Sequence, residues 1–504
     1  MKFIKKIGSP LFHCFAVPVF FTVHNYFDFL GLVPFKELTG SIIGWLIAPA
    51  LLVFLFNLLF RNKDNSALFT TFLLIIYFFF SSALTAIKSI PALSFLTHYS
   101  VILPIIFLLI TAVFILLRKK EQSYPSLHNY LSLTFLVLIV FEFIQPVIKG
   151  KKYYTKRNQF KTENVPVLSP VTTTDSLPDI YYIIFDEHPS TASVKTLTGY
   201  DNSSLDSGLQ QLGFRVSPLS TSGFSITIPS LCSVFDMGEY PYSYNEQVSF
   251  KEVYQANQLL YNSQLMSFLR NTGYTTINAS SFNFAGLPGI GTTEGWWGEA
   301  ADMIRNQTFF NRLKLDIGWI FMKYAPALFP NEIKKYIDLD LQNIARTNTI
   351  IDSSLALKNQ KPKFVFAHYS MPHDPFKFDS TGTIPKWNLK IYEQKVADGS
   401  AYIQQLAYTR KMIINLAKEI QEKNQRPAVI IIQGDHGMRK YNREKFGNDH
   451  IYKNLSAVYF PDKDYQSITD SLFLPNTFRI VLNKYMKQQL PLQKPWHNRM
   501  KLEY

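Results

Sequence analysis

The stretch that decides the fold starts at Pro178 and reads PDIYYIIFDEHP as far as Pro189. Its central part, Ile180–Phe185, is an unbroken run of β-branched and aromatic residues. A run without polar alternation predicts a strand that is buried on both faces, as in the middle of a parallel sheet. Two acids, Asp186 and Glu187, follow at once, so this strand would carry carboxylates to its carboxyl end.

Two later stretches repeat this pattern. The run Lys363–His368 leads into MPHDPF at 371–376, and the run Ala428–Gln433 leads into GDHG at 434–437. A helix of about twenty residues, with apolar side chains near helical spacing, is predicted from about Ser400. Helices that alternate with buried strands predict an α/β domain with a mainly parallel sheet. Ligands of such sheets bind at the carboxyl ends of the strands, where all three runs place Asp or His.

The first 150 residues have a different character. They contain five apolar runs, each of about the length that crosses a bilayer as a helix. The runs are Leu11–Leu32, Ile42–Phe60, Ala67–Ile87, Ser100–Leu117 and Tyr130–Ile148. The first run is the weakest because it contains His13, His24 and Asp28. A signal peptide would show a single short run. We therefore predict an N-terminal bundle of about five transmembrane helices.

These patterns divide the chain of 504 residues into three parts. We predict a transmembrane helical domain at 1–150, a polar linker at 151–177 and a catalytic domain at 178–504. The overall composition agrees with a membrane portion, because 47% of the residues are hydrophobic and only 17% are charged.

The distribution of Lys and Arg predicts the orientation in the membrane. Basic residues are concentrated at the N-terminus and in two alternate loops: Lys2, Lys5, Lys6, Arg61, Lys63, Arg118, Lys119 and Lys120. The other loops contain only Lys36 and Lys88. Five crossings would then place everything after residue 150 outside the cytoplasm. Basic residues at 149–157 oppose this assignment, and the orientation would invert if the first run did not cross.

Several function classes are disfavoured by composition. The formal net charge is +14, but the basic residues form no dense stripe and no base-reading motif, which argues against a nucleic-acid partner. The two cysteines, Cys14 and Cys232, are too few for a disulfide framework or a cysteine zinc site. Glu142 and Asp28 lie inside apolar runs, where they would either contact other helices and headgroups or line a substrate path.

Four pieces of sequence carry residues suited to catalysis: Asp186–Glu187, Thr227 in the segment TIPS, His373, and Asp435–His436. Oxygen and imidazole ligands together suit zinc, manganese or another divalent ion. A metal beside a hydroxyl lowers its pKa and makes it a nucleophile, and a histidine nearby could bind the transferred group or protonate the leaving oxygen. Each piece alone also has a structural interpretation, such as a turn former or a helix N-cap. Their occurrence together favours a catalytic site.

These motifs resemble the alkaline phosphatase superfamily, in particular its membrane-anchored sulfatase-like branch, which includes lipoteichoic acid synthase and lipid A phosphoethanolamine transferase. The resemblance covers about residues 178–485. Residues 178–186 are similar to the first strand and first metal ligand, 364–376 to the PHxPF segment and 430–437 to the SDHG segment. Sulfatase-like membrane proteins of Bacteroidetes look most similar, because they share the appearance of residues 200–206 and 457–465.

The resemblance implies one divalent metal ion (Zn, Mn, Mg or Ca). Its ligands would be Asp186, Thr227, Asp435 and His436. Thr227 is in the position of the nucleophile. Its Thr-x-Pro pattern is that of phosphodiesterases, and a threonine cannot become the formylglycine of sulfatases, so phosphoryl chemistry is favoured over sulfate ester hydrolysis. Cys232, nearby, would be a packing residue.

The remaining site residues are also assigned by resemblance. His373 would contact the transferred group, and Glu187 would be a second carboxylate ligand or a helix N-cap. His368 and His450 are further candidates for a metal or substrate contact. Trp296–Trp297 loosely resembles a substrate loop of lipoteichoic acid synthase. No clear ligand set for a second metal is found, which favours a one-metal transferase over a two-metal phosphatase.

The expected function is transfer of a phospholipid headgroup, of the phosphoethanolamine or phosphoglycerol type, to a hydroxyl of a glycan or lipid. Thr227 would carry the group as a phosphothreonine. The enzyme would lie in a bacterial inner membrane with its catalytic domain on the periplasmic side. Two alternatives stay open: a hydrolase of phosphodiesters or sulfate esters that uses the same site, and a membrane sensor whose enzyme domain is inactive.

Overall fold

The computed structural model describes residues 10–30, 33–119, 124–149, 164–171, 177–239, 247–248, 250–291, 301–324, 332–358, 361–385, 394–439, 447–497 and 501–502. These form two compact units. The first combines residues up to 159 with residues between 298 and 326, and the second contains most of the remainder. The predicted linker at 151–177 lies largely outside the described residues.

The first unit begins with five helices, one for each predicted apolar run. They are α1 (Phe12–Asp28), α2 (Phe35–Phe60), α3 (Lys63–Lys88), α4 (Tyr99–Lys119) and α5 (Pro125–Lys149). Helices α2 to α5 are long and apolar enough to cross a membrane. Many of their large apolar side chains, including Phe54 and Phe107, are exposed, as expected of a surface that faces lipid. Helix α1 has 17 residues, and whether it crosses stays a prediction.

Polar side chains of α1 face the other helices. His13 Nδ1 lies 2.5 Å from Thr71 Oγ1 of α3, and His13 Nε2 lies 2.7 Å from His128 Nδ1 of α5. Further along, His24 Nδ1 lies 2.7 Å from the carboxylate of Glu142, on α5. The acid that interrupts the fifth apolar run therefore contacts another helix, which lowers the cost of placing it there.

Two helices from a later part of the chain also belong to the first unit. They are α11 (Asp302–Arg305) and α12 (Phe309–Tyr324). The Arg305 guanidinium donates to Ser41 Oγ and to the Glu37 carbonyl of α2, at 2.9 and 3.0 Å. At the start of α12, Phe309 packs edge-on against Phe80 of α3.

The second unit is built on a mixed sheet. Within the described residues, its six strands are β1 (Asp179–Phe185), β2 (Arg215–Val216), β4 (Thr275–Ala279), β5 (Lys363–Tyr369), β6 (Ala428–Gln433) and β7 (Ser456–Tyr459). They are joined in the order β2-β7-β6-β1-β5-β4. The central strands β6, β1, β5 and β4 are parallel, whereas β7 is antiparallel to β6 and β2 to β7. The predicted α/β fold with a mainly parallel sheet is confirmed. A separate pair joins β3 (Gln247–Val248) to β8 (Lys501–Leu502).

Helices and apolar clusters surround this sheet. The helices are α6 (Thr191–Thr198), α7 (Ser203–Gln211), α8 (Thr227–Phe235), α9 (Phe250–Tyr261), α10 (Gln264–Asn271), α13 (Glu332–Ala356), α14 (Ser400–Lys423) and α15 (Thr477–Met486). Alternate residues of β1 enter two different apolar clusters, with Tyr182 and Ile184 in one and Tyr181 and Ile183 in the other. Both faces of the strand are therefore buried, which explains why its sequence lacks polar alternation.

A buried polar network fixes the amino ends of the central strands. Asp179, at the start of β1, accepts the backbone N–H of Lys363 on β5 at 2.9 Å and the side-chain amide of Asn424 at 3.1 Å. The Lys363 ammonium lies 3.6 Å from the same carboxylate. This network supports a register in which Phe185 pairs with Tyr369, so β1 and β5 end at the same level.

Candidate active site

Three potential ligands meet at the carboxyl ends of β1 and β6. Asp186 follows β1, and Asp435 and His436 follow β6, the strand paired with it. Each residue offers one ligand atom within 4.8 Å of the other two, and all three side chains are buried. His436 Nε2 lies 3.7 Å from Asp186 Oδ1 and 3.5 Å from Asp435 Oδ2.

Hydrogen bonds orient these side chains and leave two polar atoms without a partner. Asp435 Oδ1 accepts the backbone N–H groups of Glu187 and His436, each at 3.0 Å. His436 Nδ1 donates to the Gly437 carbonyl at 2.8 Å, which leaves the lone pair on Nε2. Among the described residues, neither Asp435 Oδ2 nor His436 Nε2 has a hydrogen-bond partner. Because buried polar atoms are rarely left unpaired, this arrangement fits a bound cation.

The electrostatics of the cluster also fit a cation. Burial and the neighbouring Asp435 carboxylate raise the pKa of Asp186 to about 8. Burial lowers the pKa of His436, so its imidazole is neutral at pH 7. Two buried carboxylates beside a neutral imidazole are ligands that suit zinc or manganese. A divalent ion bound here would relieve the repulsion between the two acids.

Thr227 lies beside this cluster at the N-terminus of α8. Its hydroxyl donates to Asp186 Oδ1 across 3.4 Å, and the residue is buried. The amino end of a helix presents unpaired N–H groups and a partial positive charge, which favour an anionic group such as a phosphate. Ser230, one turn later, donates to the Asp435 carbonyl at 2.5 Å and so joins α8 to the loop after β6. Cys232 is buried within α8, with its thiol 3.0 Å from the Ala256 carbonyl, and is placed as a packing residue would be.

A second group of potential ligands contains Glu187, His373 and Asp374. Burial lowers the pKa of His373, but the carboxylates of Asp186, Glu187 and Asp374 outweigh this effect and the net shift is upward. Arg439 lies at the same place, with its Nη2 atom 2.6 Å from His373 Nε2. Sequence reasoning missed Arg439, although its position two residues after the GDHG segment was a signal that could have found it.

The N-cap interpretation of Glu187 is wrong. The cap of α6 is Ser190, whose hydroxyl accepts the N–H of Ser193 at 3.3 Å. Glu187 instead has a left-handed backbone with φ of 55°, and its Oε1 accepts the backbone N–H of Arg439 at 2.7 Å. The Glu187 side chain therefore contacts the loop after β6, which contains Arg439.

The two further histidine candidates have different surroundings. His368 is buried near the first group, with its Nε2 atom 4.0 Å from Asp186 Oδ2, and burial lowers its pKa to about 4. His450 Nδ1 lies 2.9 Å from Ser193 Oγ, and neither ligand group includes His450. The loop with Trp296–Trp297 lies outside the described residues.

The match to a family model shows to which protein family this chain belongs. The model of the sulfatase family matches residues 185–468, which is more than half of the chain. The chain belongs to the sulfatase family. The matched range contains both groups of potential ligands, Thr227 and Arg439. The predicted membership of the sulfatase-like branch of the alkaline phosphatase superfamily is therefore confirmed, and the chain is an enzyme-family protein with a transmembrane unit.

Several solved structures are similar to this chain at low sequence identity. The integral membrane lipooligosaccharide phosphoethanolamine transferase A from Neisseria meningitidis is 14% identical, with a TM-score of 0.40, and 95% of each chain is covered. The C-terminal periplasmic domain of EptC from Escherichia coli is 13% identical, with a TM-score of 0.38, over 64% of this chain and 86% of that one. The lipoteichoic acid synthase LtaP from Listeria monocytogenes is 12% identical, with a TM-score of 0.35, over 66% and 78%. No curated protein matches the chain at the sequence level.

Proposed function

We propose that this protein is a membrane-anchored, metal-dependent transferase that moves a phospholipid headgroup of the phosphoethanolamine or phosphoglycerol type to a hydroxyl of a glycan or lipid. The observation that carries the proposal is the pair of unpartnered buried atoms on Asp435 and His436, beside Asp186 and the hydroxyl of Thr227. Asp186, Thr227, Asp435 and His436 would hold one divalent ion. When bound, that ion would lower the pKa of the Thr227 hydroxyl and offset the negative charge of the phosphoryl group.

The chain's own residues account for the remaining steps. In the first half-reaction, Thr227 Oγ1 forms a bond to phosphorus and the bond from phosphorus to the diacylglycerol oxygen breaks. The proton lost by Thr227 is balanced by the proton gained by diacylglycerol. The N-terminus of α8 stabilises the phosphoryl oxygens, and His373 contacts the transferred group. In the second half-reaction, the oxygen of an acceptor hydroxyl forms a bond to phosphorus and the bond from phosphorus to Thr227 Oγ1 breaks. The proton lost by the acceptor is balanced by the proton that Thr227 regains.

Phosphoryl transfer is preferred to sulfate ester hydrolysis because of the residue at the start of α8. The nucleophile position is a threonine, which cannot become formylglycine. The membrane unit supplies a further reason to favour a lipid donor. An enzyme that is anchored in the bilayer meets a bilayer donor at a high effective concentration. We place the catalytic domain on the periplasmic side of a bacterial inner membrane, as the positive charges of the loops indicate.

Intact mass spectrometry of the full-length protein tests the proposal. The protein is reconstituted with phosphatidylethanolamine or phosphatidylglycerol, separately, in the presence of manganese or zinc. We expect a mass increment of one headgroup phosphate on the wild type and none on Thr227→Ala. Thr227→Ser, which keeps a hydroxyl, is the matched control and should retain the increment. The lipid that gives the increment identifies the donor.

Two other results would contradict the proposal. Release of the free phosphorylated headgroup, at the same rate with and without an acceptor alcohol, would show a hydrolase with the same site. A folded wild type that binds neither metal and gives no increment with either lipid would favour the inactive sensor. Circular dichroism and the Tm of Thr227→Ala, compared with the wild type, exclude misfolding as the cause of a lost increment.

A further inference from the structure

A second group of potential metal ligands, to which the proposed function assigns no ion, consists of Glu187, His373 and Asp374. Each offers one ligand atom within 4.8 Å of the others, and Glu187 and His373 are buried. A carboxylate and an imidazole in this arrangement are ligands that a second divalent ion would accept. The fold therefore brings together ligands for a second ion that were not recognised in the sequence.

An arginine occupies the position that this second ion would need. Arg439 Nη2 lies 2.6 Å from His373 Nε2 and 3.5 Å from Glu187 Oε2. The backbone N–H of the same residue donates to Glu187 Oε1 at 2.7 Å. Both oxygens of Glu187 and the Nε2 atom of His373 are thus turned towards Arg439. A guanidinium stays charged at any pH the protein meets, so an approaching metal ion would be repelled.

The hydrogen bonds of His373 support the same conclusion. Its Nδ1 atom lies 2.5 Å from the Asp374 carbonyl oxygen, which can only accept, so in the neutral side chain the proton is on Nδ1. The Arg439 charge acts against the carboxylates that raise the pKa of His373 and so favours this neutral form. The lone pair of Nε2 then faces the arginine N–H. In this tautomer His373 accepts a hydrogen bond from Arg439 through the atom that would otherwise bind a metal.

Charge balance explains why a cation is needed at this place. The Glu187 side chain is only 5% exposed, and burial of an uncompensated carboxylate is costly. The Arg439 side chain is 20% exposed and reaches the carboxylate from its own loop, directly after β6.

We propose that Arg439 takes the place of a second metal ion in this enzyme. Its guanidinium neutralises Glu187, holds His373 in one orientation and keeps the Glu187–His373–Asp374 group closed to metal. The centre then binds one divalent ion, at Asp186, Asp435 and His436. The role of His373 towards the transferred group rests on the proposed function, whereas the number of metal ions does not.

Counting metal ions tests the proposal on the full-length protein in detergent. The protein is stripped with a chelator, equilibrated with zinc or with manganese, separated from free metal and analysed by inductively coupled plasma mass spectrometry. We expect one ion per chain for the wild type and two for Arg439→Ala. The double variant Glu187→Gln with Arg439→Ala should again bind one ion per chain. Arg215→Ala, which removes an exposed arginine paired with Asp470, is the matched control and should bind one.

Two results would overturn the proposal: two ions bound by the wild type, or a folded Arg439→Ala that still binds one. If Arg439→Ala does not fold, Arg439→Gln is counted in its place. The wild-type count alone can reject the proposal without any variant. These results are distinguishable from a failure of the proposed function. If the proposed function is wrong, the headgroup adduct on Thr227 does not form, whereas the expected metal counts stay the same.

Chemical rescue separates a positioning role from a merely structural one. Loss of the guanidinium should slow adduct formation on Thr227 about 100-fold, a size typical of losing one stabilising donor. Free guanidinium ion, which fits the space left in Arg439→Ala, should restore part of the rate and lower the metal count from two towards one. Sodium chloride at the same ionic strength should do neither. Absence of rescue in a folded Arg439→Ala would contradict the positioning role.

Discussion

At the scale of single residues, the two oxygens of Asp435 have different surroundings. Oδ1 accepts two backbone N–H groups, whereas Oδ2 has no hydrogen-bond partner among the described residues. Asp435→Asn can keep the first set of contacts but loses the charge that a cation needs. We expect zinc affinity to fall about 100-fold or more, since losing even a group that supports a ligand costs 10–100-fold. Isothermal titration calorimetry on the full-length protein measures it, with the exposed acid variant Asp470→Asn as the control. Unchanged affinity in Asp435→Asn would contradict the assigned ligand set.

The raised pKa of Asp186 predicts how metal binding depends on pH. Without metal, burial and Asp435 keep this carboxyl protonated up to a pKa of about 8. Because a metal binds only the carboxylate, each ion displaces one proton from Asp186 below that pH. Apparent zinc affinity should therefore fall about tenfold per pH unit on acidification, or about 100-fold from pH 8 to pH 6. Titrations at the two pH values, in buffers of different ionisation enthalpy, measure both the affinity and the released proton. An affinity that is independent of pH would show that Asp186 is not a ligand.

At the residue level, the sequence predicted the common position of three residues that each follow a strong local pattern. Asp186, Asp435 and His436 each follow a buried strand, so their common position was foreseeable from parallel strands alone. Arg439 was not foreseeable in this way, because its partners Glu187 and His373 lie 252 and 66 residues away in the chain. The left-handed backbone of Glu187 is likewise set by tertiary contacts and leaves no signature in the residue itself.

At the scale of secondary-structure elements, the central strands depend on the buried Asp179. Its side chain is 1% exposed and faces Lys363, which is 5% exposed. Asp179→Ala would leave the ammonium buried without its counter-charge, a loss of about 3–5 kcal/mol. We expect the Tm of the catalytic unit to fall by about 10 °C in a thermal scan of the detergent-solubilised chain. Asp470→Ala removes an exposed ion pair with Arg215 and should cost about 0–1 kcal/mol. Equal Tm values for the two variants would argue against a role for the Asp179 network.

The loop after β6 depends on close backbone contacts at Gly437. A Cβ atom there would lie 2.0 Å from the His450 carbonyl oxygen and 2.8 Å from that of Lys453. Gly437→Ala should displace Asp435 and His436 and so lower both the Tm and the zinc affinity. Gly318, within α12, has only a flexible Lys314 side chain nearby at 3.5 Å, so Gly318→Ala is the matched control. Wild-type zinc affinity in Gly437→Ala would contradict this account.

The elements that were predicted from sequence share one property. Strands β1, β5 and β6 and helix α14 all have strong local patterns. The observed ends of the three strands lie within one residue of the predicted ends. The short strands β2 and β7 have two and four residues, too few for a period-two pattern to stand out. Strand order was also beyond prediction, because pairing partners such as β1 and β6 are separated by more than 200 residues.

At the scale of the whole molecule, the transmembrane unit is built from two separate parts of the chain. After the five N-terminal helices, residues of α11 and α12 belong to the same compact unit as α1 to α5. Arg305 and Phe309 make the contacts with α2 and α3 described above. No sequence pattern predicts that α11 and α12 belong to the first unit, because α12 has the ordinary amphipathic composition of a surface helix.

The orientation of the whole protein in the membrane is a prediction that labelling can decide. Both native cysteines, Cys14 and Cys232, are buried, so single exposed cysteines can be introduced against a low background. With the basic loops in the cytoplasm, Lys63→Cys should react with a membrane-impermeant maleimide only after permeabilisation. Lys88→Cys and Ser380→Cys, also at exposed positions, should react in intact spheroplasts.

The labelling pattern distinguishes the possible numbers of crossings. If α3 to α5 each cross, three crossings separate Lys63 from Ser380, so these two positions lie on opposite sides of the membrane and α1 decides only the side of the N-terminus. If α1 crosses, the N-terminus and Ser380 lie on opposite sides, so a cysteine placed at Ser9 should be protected where Ser380→Cys reacts. If α1 does not cross, both positions react on the same side and the basic loop at Lys63 determines which side that is. Protection of Ser380→Cys in intact spheroplasts would place the catalytic domain in the cytoplasm, away from any periplasmic acceptor, and would contradict the proposed function.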